Sequence, residues 1–314
     1  MSSRRPLHKR LRDHFFYGLI RSLLFVLRVL PRRVAIGAMR LLARFLFRVL
    51  QRERRKTVTH LTMAFGKEKS AEEIQELARR VFLHFIVAFV DLVRMDDFVD
   101  SGFAGMVSCK GFEHLEDAAR RGKGVIALTA HFGNWELLGA YVVHRGLPLK
   151  VVGTALQDPR LDALLVSTRN RAGYTNIARG KDTKEIIRAL QQGEVLGMLI
   201  DQDTKVAGVF ADFFGMPAYT PTGPAVLARK YGVPIVPIFM WLKEDLTYQL
   251  ECFAPLDLPR TDDAARDLAV IAGKCNEAYE RIIRQHPEQW AWMHKRWKTQ
   301  PKGQTDAEDR TAER

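Results

Sequence analysis

A chain of 314 residues, 47% apolar and 27% charged, has ordinary globular composition, which excludes a wholly disordered or fibrous protein. Cys109, Cys252 and Cys275 lie far apart with no C-x-x-C pair, so neither a disulfide framework nor a zinc knuckle is expected and a reducing compartment fits best. The net charge of +13 is uneven: residues 1–60 hold 16 Lys and Arg against Asp13 and Glu53, while the remainder holds 33 basic and 34 acidic residues. A basic arm on a near-neutral body points to an anchor or an address and away from nucleic acid.

In chain order, the arm carries two apolar stretches, "FFYGLIRSLLFVLRVL" (15–30) and "VAIGAMRLLARFLFRVL" (34–50), both interrupted by arginine. A spanning helix needs about 20 apolar residues, and Pro31 ends the first stretch. Arg33, Arg40, Arg44 and Arg48 fall on one helical side, opposite Leu, Phe and Val, as a helix lying among anionic headgroups requires. Two helices packed on the body with a solvated arginine face is the alternative. No signal-peptide cleavage site follows the first stretch, so the body is expected to stay cytoplasmic.

Residues 70–97 open with Ser-x-x-Glu and continue with helical periodicity, predicting one long, largely buried helix. Beyond Gly102 short β-branched runs alternate with helical stretches. Strands are predicted at 106–109, 124–130, 149–154, 195–200, 234–240 and 247–252, and helices at 112–121, 135–145, 158–172, 182–192, 222–231 and 262–284. This alternation predicts an α/β fold, a central mainly parallel sheet flanked by helices, with ligands beyond the carboxyl ends of its strands. The chain is thus divided into basic amphipathic N-terminal helices (1–60), an α/β domain (61–298) and a polar, disordered tail (299–314).

"TAHFGNWELLG" (129–139) follows a strand directly and places His131 at that edge. Gly133 permits a tight turn, Asn134 is an N-cap, and Glu136 in the first helical turn can return its carboxylate to the imidazole. Such a pair is a general base with its orienter; a satisfied structural histidine is the plainer reading. There is no G-x-S-x-G elbow, Walker loop, dinucleotide fingerprint or H-E-x-x-H. "DQD" (201–203) supplies two acids without a third ligand, so neither a metal nor another cofactor is called for.

"HFGNWE", "DQD", "FFGMPAYTPTGPAVLARKYGVPIVPIF" (213–239) and "PEQWAWMHKRWK" (287–298) stand in order, and over roughly residues 10–300 the chain resembles the bacterial lipid A biosynthesis acyltransferases of the lysophospholipid acyltransferase superfamily. The resemblance implies His131 as base with Glu136 as its catalytic partner. It implies that Arg169 and Arg171, from an Arg-x-Arg-x-Gly segment, meet phosphate or the developing oxyanion. It further assigns Asp201, Phe214, Gly215, Thr220 and Arg296 to substrate binding. The implied reaction is transfer of a fatty acyl chain from acyl carrier protein to a hydroxyl of a Kdo-lipid A precursor, at the cytoplasmic face of an inner membrane rich in anionic lipid, with an apolar groove beside His131 as chain-length ruler. Two alternatives remain: acylation of mannosylated phosphatidylinositol from acyl-coenzyme A, and a non-catalytic protein that binds anionic lipid.

Overall fold

The computed structural model describes residues 7–180 and 182–301; from residue 302 the expected disordered tail lies outside the described residues. Pro31 separates α1 (Leu7–Val29) from α2 (Arg32–Val49), and α3 (Gln51–Phe65) follows at once. The sequence pattern does not reveal α3 because two of its four buried side chains, Thr57 and His60, are polar. The long helix expected over 70–97 divides at Arg94 into α4 (Ala71–Val93), with the capping box of Ser70 and Glu73 formed, and α5 (Met95–Asp100). Arg94 Nη1 donates to the carbonyls of Leu27 and Leu30 at 2.9 and 2.7 Å, so it caps the carboxyl end of α1 against the body.

After the arm come β1 (Val107–Lys110), α6 (Glu113–Arg120), β2 (Val125–Thr129), α7 (Trp135–His144), β3 (Leu149–Gly153), α8 (Pro159–Arg171), β4 (Thr175–Ala178), α9 (Thr183–Gln191) and β5 (Val195–Leu199). The chain continues through β6 (Gly208–Phe213), β7 (Met216–Pro221), α10 (Gly223–Tyr231), β8 (Ile235–Leu242), β9 (Tyr248–Cys252) and α11 (Ala264–Gln285). Seven strands form one sheet in the order β1-β9-β8-β2-β5-β3-β4, and β6 and β7 form a separate hairpin. The strands from β8 to β4 run parallel; β9 is antiparallel to β8 and pairs in parallel with β1.

All five residues of β2 are buried, as a central strand covered on both faces must be. Ile126 and Leu128 face one core with Phe239, Tyr279 and Trp292, whereas Val125 and Ala127 face another with Leu137, Tyr141 and Tyr248. That is the two-residue alternation of a strand expressed inside an unbroken apolar run.

Helix α2 has three faces where the sequence suggested two. Ala35, Ile36, Met39 and Ala43 are buried in a cluster with Val87 and Val90 of α4. Val34, Leu41, Phe45 and Val49 remain exposed, Leu41 at 64% and Phe45 at 58%, and the stripe of Arg33, Arg40, Arg44 and Arg48 is exposed beside them. At about 100° per residue, the arginine stripe adjoins the exposed apolar stripe. Among the described residues no helix is long and apolar enough to cross a membrane.

Candidate active site

The turn after β2 is built by strong local constraints. Gly133 sits at φ +57°, and a Cβ there would lie 1.7 Å from the Met240 carbonyl oxygen, so only glycine fits. Its amide donates to the Gln289 carbonyl at 2.8 Å. Buried His84 donates from Nε2 to the Gly133 carbonyl at 3.1 Å; burial pulls its pKa down to about 4, so it stands there neutral. Asn134 caps α7, its side chain accepting from the Leu137 amide at 3.1 Å.

Parallel pairing of β2 with β5 sets Thr129 opposite Leu199. Two residues further along each chain, His131 and Asp201 meet. His131 Nδ1–H donates to Asp201 Oδ1 at 2.9 Å, and the His131 amide donates to Oδ2 at 2.9 Å. Trp290 Nε1–H also donates to Oδ2, at 2.8 Å. Burial alone would raise the Asp201 pKa, but the facing imidazole, the indole and the amide outweigh it and hold the carboxyl below its ordinary value. The His131 side chain is 28% exposed, and its Nε2 has no hydrogen-bond partner among the described residues. An imidazole fixed in one tautomer by a buried carboxylate, with its other nitrogen free, can accept a proton.

Asp201, expected to contact substrate, therefore occupies the position expected of Glu136. The Glu136 carboxylate is instead held by Arg169, whose Nε donates to Oε2 at 2.9 Å and whose Nη2 donates to Oε1, and by the Tyr174 hydroxyl at 2.8 Å. Arg169 Nη1 donates to Asn176 Oδ1 at 3.0 Å. Its guanidinium is thereby committed to a protein carboxylate, where the sequence reading had it meeting phosphate or an oxyanion. The reason is geometric: α7 runs behind the turn, so Glu136 points towards α8 and β4. Burial and then the Glu136 charge raise the Tyr174 pKa far above the ordinary phenol value, keeping it a donor. Arg171 is half-exposed and pairs with Asp96 at 3.2 Å.

The remaining assignments separate into two groups. Phe214 and Gly215 form the β6–β7 turn at φ +56° and +72°, where Phe214 packs edge-on against Phe65 and Phe213. Thr220 and Arg296, both fully buried, join Asn276: Arg296 Nη2 donates to Thr220 Oγ1 at 2.7 Å and to Asn276 Oδ1 at 3.2 Å. With no carboxylate bonded to it, burial lowers the Arg296 pKa to about 10. Sequence reasoning missed Trp290 as a ligand of Asp201, and it missed Tyr174 and Asn176; the only available signal was that a buried indole N–H needs an acceptor. Among the described residues no three His, Cys, Asp or Glu side chains gather into a metal site.

The family model described as bacterial lipid A biosynthesis acyltransferase matches residues 6–299. The chain belongs to that family. It is 30% identical over 276 residues to the lipid A biosynthesis lauroyltransferase of Escherichia coli K12, covering 86% of each chain. It is also 28% identical to the palmitoleoyltransferase of the same strain, over 81% of this chain and 82% of that one. A phosphatidylinositol mannoside acyltransferase of Mycobacterium tuberculosis is 25% identical over 60% of this chain and 58% of its own. The protein is accordingly an O-acyltransferase of the lipid A biosynthesis family. This acyltransferase has a mainly apolar cavity of about 300 Å³ at the carboxyl end of β5, lined by Val152, Ile186, Met198, Ile200, Val226 and Leu227 with Arg179 and Thr183 among others. Ile200 precedes Asp201, but neither Asp201 nor His131 lines it, so it is not the groove directly beside His131 that was expected.

Proposed function

We propose that the protein moves a fatty acyl chain from acyl carrier protein to a hydroxyl of a Kdo-bearing lipid A precursor at the cytoplasmic face of the inner membrane. The observation that carries the reading is the His131–Asp201–Trp290 chain of hydrogen bonds at the carboxyl edge of the sheet. His131 Nε2 takes the acceptor hydroxyl proton as that oxygen attacks the thioester carbonyl carbon. The resulting tetrahedral oxyanion collapses, the C–S bond breaks, and the imidazolium returns its proton to the departing thiolate. Asp201 supports the imidazolium while it lasts. Glu136 is a positioning residue that ties α7 to α8 through Arg169. The mainly apolar cavity that reaches Ile200, the residue before Asp201, suits the acyl chain, and its finite depth would select chain length.

The division into an N-terminal membrane-associated arm and an acyltransferase body belongs to the same proposal. It is supported by the adjoining arginine and apolar stripes of α2, which match a helix lying in an anionic headgroup layer. The lipid A acceptor is favoured over mannosylated phosphatidylinositol by the coverage of the relatives, 86% for the lauroyltransferase against 60% for the mannoside enzyme. The test is a side-by-side assay with labelled acceptors, together with mass spectrometry of lipid A from cells with and without the gene. Transfer from acyl carrier protein to the lipid A precursor is expected. Activity on the mannosylated lipid alone, or preference for acyl-coenzyme A, would overturn the assignment.

A further inference from the structure

On the face formed by α3 and the carboxyl-terminal strap of residues 287–299 lies a pocket of about 620 Å³ that the chemistry above does not use. Its lining includes Arg52, Arg55, Lys56, Lys295, Lys298 and Trp297, and no acidic residue. Lys56 forms an ion pair with Glu53; among the described residues Arg52, Arg55, Lys295 and Lys298 form none. Gathering cations without counter-charge is unfavourable unless an anion joins them. A second observation points the same way. Trp297 is only 6% exposed, yet its indole N–H has no hydrogen-bond partner, and a buried donor left unmade costs about 1–3 kcal/mol.

We propose that this pocket binds a phosphate monoester of the acceptor lipid's headgroup and so anchors the acceptor on the enzyme. Arginine forks and lysine ammonium groups together suit a group carrying nearly two negative charges. The pocket starts at Gln51, directly after exposed Val49 at the end of α2 and exposed Leu50 between α2 and α3, so a headgroup seated in it adjoins exposed apolar residues that can meet the lipid's chains. Buried side chains link its wall to the active site through the core. Trp297 packs on Phe213 with ring centroids 5.7 Å apart, Phe213 packs on Trp290 at 5.5 Å, and Trp290 donates to Asp201. The Thr299 amide, next to Lys298, donates to Asp203 Oδ2 at 2.7 Å.

The inference rests on the proposed acceptor being a phosphorylated lipid, so it is tested by one experiment that depends on that activity and one that does not. In the first, Arg55→Ala with Lys298→Ala is assayed on the phosphorylated acceptor and on the same acceptor after phosphatase treatment. The expected result is a rise in acceptor KM of about tenfold or more, kcat and donor KM nearly unchanged, and no difference from wild type on the dephosphorylated acceptor. A rise in donor KM instead would assign the surface to the acidic carrier protein and overturn the proposal. In the second, amine-reactive labelling of Lys295 and Lys298 in the unmodified protein is read by mass spectrometry with phosphatidic acid vesicles, phosphatidylglycerol vesicles of equal charge, or inorganic phosphate. Protection by phosphatidic acid above phosphatidylglycerol is expected, and protection by inorganic phosphate but not by phosphatidic acid would mark a free-phosphate site and overturn the proposal. Equal labelling under all conditions would overturn the proposal whatever the fate of the assigned activity.

Discussion

At the residue scale the roles of two carboxylates separate. Asp201→Asn keeps the shape but removes the charge that supports an imidazolium, and kcat is expected to fall by about 10² to 10⁴ with little change in melting temperature. Glu136→Gln is expected to behave in the opposite way. It leaves the buried Arg169 guanidinium without its carboxylate, a change that costs roughly 3–5 kcal/mol, so urea unfolding shifts strongly while kcat of the folded fraction stays within about tenfold. A Glu136 variant with full stability and the kcat of the Asp201 variant would return Glu136 to the chemistry. His84 provides a pH signature. Its folded pKa of about 4 lies below the unfolded value of about 6.5, so between those values the unfolded chain binds the extra proton. Its stabilising contribution is complete above pH 6.5 and is lost as pH falls towards 4, a loss of roughly 3 kcal/mol. In His84→Gln, denaturant unfolding from pH 7 to 4.5 should show a flatter slope, with the remainder carried by His60, His286 and His294, whose pKa values are also lowered, chiefly by burial.

At the scale of elements, Gly133→Ala would press a methyl group into the Met240 carbonyl at 1.7 Å. The chain must then shift β8 or the turn, and a loss of several kcal/mol with loss of activity is expected from thermal unfolding and assay. This turn was legible in the sequence because Gly133, Asn134 and a following helical period are local signals. The partner of His131 was not, because it is set by the register of β2 on β5, strands whose bonded residues stand 70 apart, and no local pattern encodes which parallel strands are neighbours. Strand β4, only four residues beginning with Thr and Asn, lacks an apolar run to mark it. The hairpin of β6 and β7 was read as a binding segment, since its aromatics carry no sign of whether they face a ligand or the core. On α2 the two exposed stripes make separable predictions. Leu41→Ser with Phe45→Ser should weaken vesicle binding at every salt concentration, each lost apolar insertion being worth up to about 1.5–3 kcal/mol. Arg40→Gln with Arg44→Gln should weaken it only at low salt, by about 1 kcal/mol per residue. Cosedimentation over a salt series distinguishes them, and identical salt curves for both pairs would refute the in-plane placement.

At the scale of the molecule, composition and alternation were enough to give the fold class, a mostly parallel sheet flanked by helices, because burial leaves a trace in its central strands. They could not give the closing contacts. Trp290 reaches Asp201 across 89 residues, and His60 Nδ1–H donates to the Trp292 carbonyl across 232. The strap that carries both tryptophans also braces the His131 turn, through the bond from the Gly133 amide to Gln289 and that from the Ala291 amide to His131. During synthesis, then, the sheet and the basic arm leave the ribosome well before the segment that locks Asp201 onto His131. If the arm is the membrane anchor proposed above, it can reach lipid while the His131 turn still lacks its carboxyl-terminal brace, and binding and catalytic competence are acquired in that order.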